Sequence, residues 1–179
     1  MKGNSSKNIK AAITAVGGFV PNDFISNQDL EKVLDTTDEW ITTRTGIKKR
    51  RILKGEGKGT SYLAIKAAED IITKRNIDPN TIDLVIVATI TPDYKGAATA
   101  PSVASAIKAN NAYAFDLSAA CSGFLYGMST ATSYIESGRY KKVLLIGADK
   151  MSSVVDYTKR ETSILFGDGA GAVLVEPSK

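Results

Sequence analysis

The nine residues from Ile82 to Ile90, IDLVIVATI, limit what this chain can fold into more than any other stretch. They are nearly all apolar and rich in branched side chains, which is the composition of a parallel strand buried on both faces. Such a strand needs helices above and below it, because solvent on either side would leave apolar area uncovered. Val143 to Ala148 reads as another strand of this kind, and a third runs from Ala112 toward Cys121. Helical spacing fills the gaps. Thr60 or Ser61 opens a long helix in which Ala64, Ala67, Ala68, Ile71 and Ile72 share a face. Pro101 to Ala109 is a second helix, and a third follows Cys121 and ends near Gly138. Strands alternating with helices predict a layered α/β domain with a mostly parallel sheet.

The flanking regions are less regular. A first strand is expected near Ile9 to Val16, closed by Gly17-Gly18, and a last one from Ala172 to Val175 after a glycine turn. Ser26 or Asn27 can cap a short helix ending near Leu34. Thr36-Thr37-Asp38-Glu39 resembles a capping box, with Thr36 as its cap, opening a helix through Trp40. KKRRILKGEGKGT is charged and glycine-rich and reads as an exposed loop. Asp78-Pro79-Asn80 is a turn. No internal repeat, low-complexity tract or linker divides the chain, and it closes on EPSK directly after a strand, unlike a finished domain tail.

Several function classes are excluded by counting. The chain of 179 residues has no histidine, so it cannot complete a Ser-His-Asp or Cys-His site, nor a Cys/His cluster for zinc or iron. No metal and no cofactor are expected. Its one cysteine cannot form an internal disulfide, and MKGNSSKNIK lacks the apolar core of a signal peptide. A cytoplasmic location is therefore expected. The apolar runs are too short to span a bilayer, so no membrane is expected either. A net charge of +4 admits an anionic ligand or an acidic partner without requiring one.

Three motifs carry chemistry. In FDLSAACSGFLYG, Cys121 stands where a strand must turn sharply into a helix, with Ala119, Ala120 and Gly123 leaving room. Unpaired N–H groups at a helix start stabilise a thiolate, and a strand-to-helix elbow holds a nucleophile out toward a pocket. The alternative is a small buried hydrophobe. In FGDGAGAVLVE the pattern G-x-G-x-G precedes a strand rather than a helix, so it cradles no nucleotide and reads as a tight turn where backbones approach closely. In DTTDEWITTRTGIKKRR, Arg44 lies four residues after Trp40, on the same helical face. An exposed tryptophan beside an arginine can stack a planar base and hold a phosphate. The alternative is a tryptophan filling the core, with Lys48 to Arg51 as a solvated basic turn. No aromatic-basic stripe accompanies the basic run, so no nucleic acid is expected.

Taken together and in this order, DTTDEWITTRTGIKKRRI, IVATITPDY, AFDLSAACSGFLYG, VLLIGADKMS and ILFGDGAGAVLVE resemble the β-ketoacyl-acyl-carrier-protein synthase III family. The resemblance runs from Ile9 to Glu176. It implies a thiolase-like fold, a layered α/β/α arrangement on a five-stranded, mostly parallel mixed sheet that forms one of two similar halves. Residues 1–179 would be the N-terminal half, with the C-terminal half absent. It implies an enzyme that transfers an acyl group from an acyl-CoA primer to a cysteine and condenses it with malonyl-acyl-carrier protein, initiating fatty-acid synthesis. Acyl-CoA is then a substrate rather than a cofactor, the carrier protein is a partner, and a homodimer is expected.

Matched motif to motif, Cys121 falls on the nucleophile, Trp40 on the residue that stacks the CoA adenine, Thr36 and Arg44 on its neighbours, and Arg160 on a second arginine of the CoA site. The histidine and asparagine that assist decarboxylation belong to the family's second half, so full activity would need that half. Two positions depart from the pattern. Gly96-Ala97 stands where the family usually has Phe-Pro, whose Phe walls the acyl pocket across the dimer interface, so a roomier primer pocket is expected. Glu161 replaces a small residue beside the CoA phosphates. Two other readings stay open, a related thiolase-fold acyltransferase with a larger primer and a non-catalytic partner subunit or fragment.

Overall fold

A computed structural model describes residues 9–178. Of MKGNSSKNIK, read as free of a signal-peptide core, the first eight residues lie outside them. The chain begins with β1 (Ala11–Phe19) and β2 (Phe24–Ser26), then α1 (Asn27–Glu31), α2 (Asp38–Thr45) and β3 (Lys49–Arg51). It continues through α3 (Thr60–Arg75), β4 (Leu84–Ala88), α4 (Thr99–Ala106), β5 (Tyr113–Leu117), α5 (Gly123–Glu136), β6 (Val143–Lys150), α6 (Arg160–Ser163) and β7 (Asp168–Pro177). A five-stranded sheet has the order β1-β7-β6-β4-β5. β4 pairs in parallel with both β5 and β6, while β7 runs antiparallel to β6 and to β1. Only β7 is reversed, so the sheet is mixed but mostly parallel.

Side-chain alternation explains why IDLVIVATI sits at the centre. Val85 and Val87 join Leu144, Ile146 and Leu174 against Ala64, Ala67, Ala68 and Ile71 of α3 and Val103 of α4. Leu84 and Ile86 point the other way and pack with Leu145, Val173 and Val175 against Ala131 and Ile135 of α5. Every residue of β4 is buried. Each fully buried branched side chain is worth about 1.5–3 kcal/mol relative to exposure, so both helical layers are needed to hold this strand. No helix among the described residues is long and apolar enough to cross a membrane.

Four expectations are corrected. Gly17-Gly18 does not close the first strand, which runs on to Phe19. A Cβ at Gly17 would stand 2.7 Å from the Ala67 carbonyl, so the glycine lets β1 lie against α3. Thr36 is not the cap of α2. Thr37 has the extended backbone a cap requires, and its hydroxyl accepts from the Trp40 N–H at 3.0 Å. The capping box belongs to α1, where Ser26 and Asp29 satisfy each other's backbone N–H groups. The basic run is not wholly exposed, because Lys49–Arg51 pairs with β2, which the sequence reading did not include, and strand alternation turns Arg50 inward. Finally, Gly169 and Gly171 lie inside β7 rather than in a turn before it.

Candidate active site

The site begins where β5 ends. A single tight turn, Ala120–Ser122, joins the sheet to α5, and Ala120 takes φ +46°. Left-handed backbone costs a residue with a Cβ roughly 1–2 kcal/mol. The turn is clamped from both sides, by the Ser122 N–H donating to the Ala119 carbonyl at 3.1 Å and by Gly123 set close to Ala88 of β4. The result is the elbow expected from the sequence, with the left-handed position taken by alanine. Cys121 is exposed and unpaired, which removes its reading as a buried hydrophobe.

Its sulfur-bearing side chain lines a pocket of about 290 Å³ with Ala88, Phe124, Gly147, Asp149, Gly167 and Gly169 among the walls. Apart from Phe124 of α5, these positions cluster toward the carboxyl ends of β4 and β6 and around the start of the reversed β7. Ligands of open α/β sheets bind outside the carboxyl ends of the parallel strands. Asp149 is the pocket's carboxylate. Its Oδ1 accepts from the Thr89 and Thr91 hydroxyls at 2.9 Å each and from the Ile90 and Thr91 N–H groups at 2.9 and 3.2 Å. It thereby ties the end of β6 to the loop after β4. Sequence reasoning missed this role, although both partners sit in stretches it singled out, IVATITPDY and VLLIGADKMS.

Trp40, Arg44 and Arg160 form a second cluster. The Arg44 and Arg160 guanidinium carbons lie 4.3 and 4.9 Å from the Trp40 ring centre. Arg160 also donates to the Asp35 carbonyl at 3.1 Å, next to Thr36, whose buried hydroxyl oxygen has no partner among the described residues. Trp40 is neither fully exposed nor a core filler. It is half-buried, packed on Leu30, Ile41 and Ile164. Two arginines at an indole make an arrangement suited to a planar, negatively charged ligand. Glu161 is exposed beside Arg160.

The two clusters share a connection. Gly167, in the wall of the Cys121 pocket, presses on β3, where a Cβ would come within 2.9 Å of the Arg51 carbonyl. The short segment from Arg160 to Gly167 therefore links the Trp40 cluster to the pocket. Buried Arg50 lies along it, and burial pushes its pKa down. Tyr157 nearby is pushed up by burial and by Asp168. Gly96 stands apart from both. It is in an exposed loop, a Cβ there would meet nothing within 4 Å, and it does not line the Cys121 pocket. Among the described residues no group of three or more acidic or sulfur side chains could hold a metal ion.

The profile of the family described as 3-Oxoacyl-[acyl-carrier-protein (ACP)] synthase III matches residues 115–179, which hold the elbow, α5, β6 and β7. The chain is homologous to this synthase III family. The β-ketoacyl-[acyl-carrier-protein] synthase III of Chlorobium chlorochromatii is 59% identical over 170 residues, covering 95% of this chain and 52% of that protein. A Bacteroides thetaiotaomicron synthase III is 54% identical over 170 residues, covering 95% and 51%. The crystal structure of the Aquifex aeolicus 3-oxoacyl-[acyl-carrier-protein] synthase III superimposes with a TM-score of 0.89 at 49% identity, covering 96% of this chain and 54% of that one. The chain thus spans about half the length of the synthase III relatives it matches. The thiolase-like fold expected from the sequence is the fold of these synthases.

Proposed function

We propose that the protein carries out acyl transfer and decarboxylative condensation, with Cys121 taking the acyl group from an acyl-CoA primer and malonyl-acyl-carrier protein receiving it. The observation that carries this reading is the exposed Cys121 on a strained elbow facing a pocket. The thiolate attacks the thioester carbonyl, the new C–S bond forms on Cys121, and the CoA sulfur leaves and takes a proton. N–H groups at the start of α5 stabilise negative charge on the attacking sulfur. Trp40 stacks the adenine, Arg44 and Arg160 pair with the nucleotide phosphates, and the free hydroxyl of Thr36 serves as a polar contact beside them. CoA is a substrate here, and no cofactor takes part.

Condensation requires groups that polarise the malonyl thioester. With no histidine in the chain, that half-reaction is assigned to the protein at the length of its relatives. In this reading the chain is the N-terminal half-domain of that protein, the enzyme is a cytoplasmic homodimer, and Gly96 supplies an open wall to the acyl pocket through the dimer. No nucleic acid or membrane takes part. The test is intact mass after incubation with acetyl-CoA and longer acyl-CoAs, with Cys121→Ser as the control. A gain of one acyl group that the control lacks supports acyl transfer, and acceptance of longer donors supports the role of Gly96. No gain with any donor overturns the reading.

A further inference from the structure

Arg50 is a charged side chain only 2% exposed, and none of the ion pairs among the described residues includes it. A buried guanidinium is costly unless hydrogen bonds satisfy it, and every partner of Arg50 is neutral. Its Nε and Nη2 donate to the Ile164 carbonyl at 3.0 and 2.6 Å, and its Nη1 donates to Oδ1 of Asn27. Ile164 caps α6, whose first residue is Arg160. The Asn27 amide in turn donates to Oδ1 of Asp38 at 2.6 Å, to the Thr42 hydroxyl at 3.2 Å and to the Ile47 carbonyl at 2.9 Å. Asp38 and Thr42 belong to α2, which also carries Trp40 and Arg44. One side chain therefore grips α6 directly and α2 through a single intermediary.

We propose that Arg50 is a positioning residue that fixes α6 against α2 and so sets both Arg44 and Arg160 at the Trp40 ring. The planar fork of a guanidinium suits this task, because it reaches two acceptors in fixed directions where an ammonium offers one compact charge. The role is confined to the nucleotide side of the site. Gly167 leans on the backbone of β3 and the Arg50 Cβ, so the wall of the Cys121 pocket survives a change at the far end of that side chain. The ligand effects below rest on the proposed acyl-CoA reading, whereas the placement of Arg160 at Trp40 does not.

The test compares Arg50→Gln and the milder Arg50→Lys with the unchanged full chain in two ways. The first is acrylamide quenching of Trp40, the one tryptophan in the sequence. The second is single-turnover acylation of Cys121 by acetyl-CoA and by acetyl-pantetheine, which lacks the nucleotide, read as the half-saturating donor concentration (KM) and the maximal rate. Arg50→Gln is expected to make Trp40 more quenchable and to raise KM for acetyl-CoA about tenfold. Its maximal acylation rate should change less than about twofold, and KM for acetyl-pantetheine should stay the same. Arg50→Lys should fall between Gln and the native residue. Equal losses with both donors, or unchanged quenching, overturn the proposal. If the unchanged protein accepts acyl groups from neither donor, the functional reading fails while the quenching result still decides the placement of Arg160. Should Arg50→Gln fail to fold, the same readouts on Arg50→Lys decide.

Discussion

The Cys121 elbow and the Trp40 cluster are built by opposite means. The elbow grows out of the central sheet, where β4 is buried along its whole length, and its shape is set by backbone, with a left-handed alanine pinned between a carbonyl and a neighbouring strand. The Trp40 cluster stands on short peripheral elements of three to eight residues, α1, α2, β2, β3 and α6, joined chiefly through the side chains of Arg50 and Asn27. In the proposed reading the difference follows from what each would do. Bond making punishes displacements of an ångström, so a nucleophile belongs on the stiffest part of the molecule. Holding a nucleotide away from the reacting atoms, as proposed for the Trp40 cluster, would tolerate adjustment, and side chains that can shift together would suffice.

The largest effect expected from breaking one side of this contrast is at the indole. Trp40→Ala removes the surface shared by both arginines and should raise KM for acetyl-CoA about tenfold or more, since each cation–π contact contributes about 0.5–1 kcal/mol even when exposed. Acylation kinetics across a range of acetyl-CoA concentrations measure this, and an unchanged KM would remove Trp40 from the ligand site. Next is the joint between the regions. Gly167→Ala forces a Cβ to within 2.9 Å of the Arg51 carbonyl, an overpacking worth about 1–3 kcal/mol. The melting temperature should drop by several degrees, with quenching of Trp40 and acylation of Cys121 both altered. If only one changes, the two regions are not coupled at Gly167.

A smaller effect is expected within the elbow. Ala120→Gly relieves about 1–2 kcal/mol of left-handed strain but frees the unfolded chain by a comparable amount. Stability should barely move while the acylation rate falls a few-fold, and a rate equal to that of alanine would mean the elbow needs no pinning. The smallest effect separates the regions by pH. Hydrogen bonds from Ser26, helped by Lys32, hold the Asp29 carboxyl well below its ordinary range. A depressed folded pKa gives stability that is present above the unfolded value, about 3.9, and lost as pH falls through the folded one. Amide exchange should therefore show α1 loosening in acid before α5 does. Equal protection of both helices at low pH would contradict this.

The central layers were readable because the signals there are repetitive. Branched runs give β4 and β6, and helical spacing of alanines gives α3. The elbow was readable because small residues crowd one cysteine. What escaped is short or non-local. Three residues of β3 leave no period to detect, and the inward turn of Arg50 depends on pairing with Phe24–Ser26 and on a carbonyl 114 positions away in sequence. Asp149 likewise satisfies threonines about 60 residues distant. The glycines of β7 misled in another manner, since the turn expected there is strand and the expected close approach occurs only at Gly167, just before it, while a Cβ at Gly171 would meet nothing within 4 Å. Thr36 and Thr37 are the same residue type, so the sequence does not reveal which hydroxyl caps α2.

The chain has one tryptophan and one cysteine, and the fold places the first in the peripheral cluster and the second in the pocket. The two regions therefore carry a natural donor and a single attachment point for an acceptor dye. Resonance energy transfer between them reads the separation of the two regions directly in the native sequence, with no engineered label site and no second tryptophan to subtract.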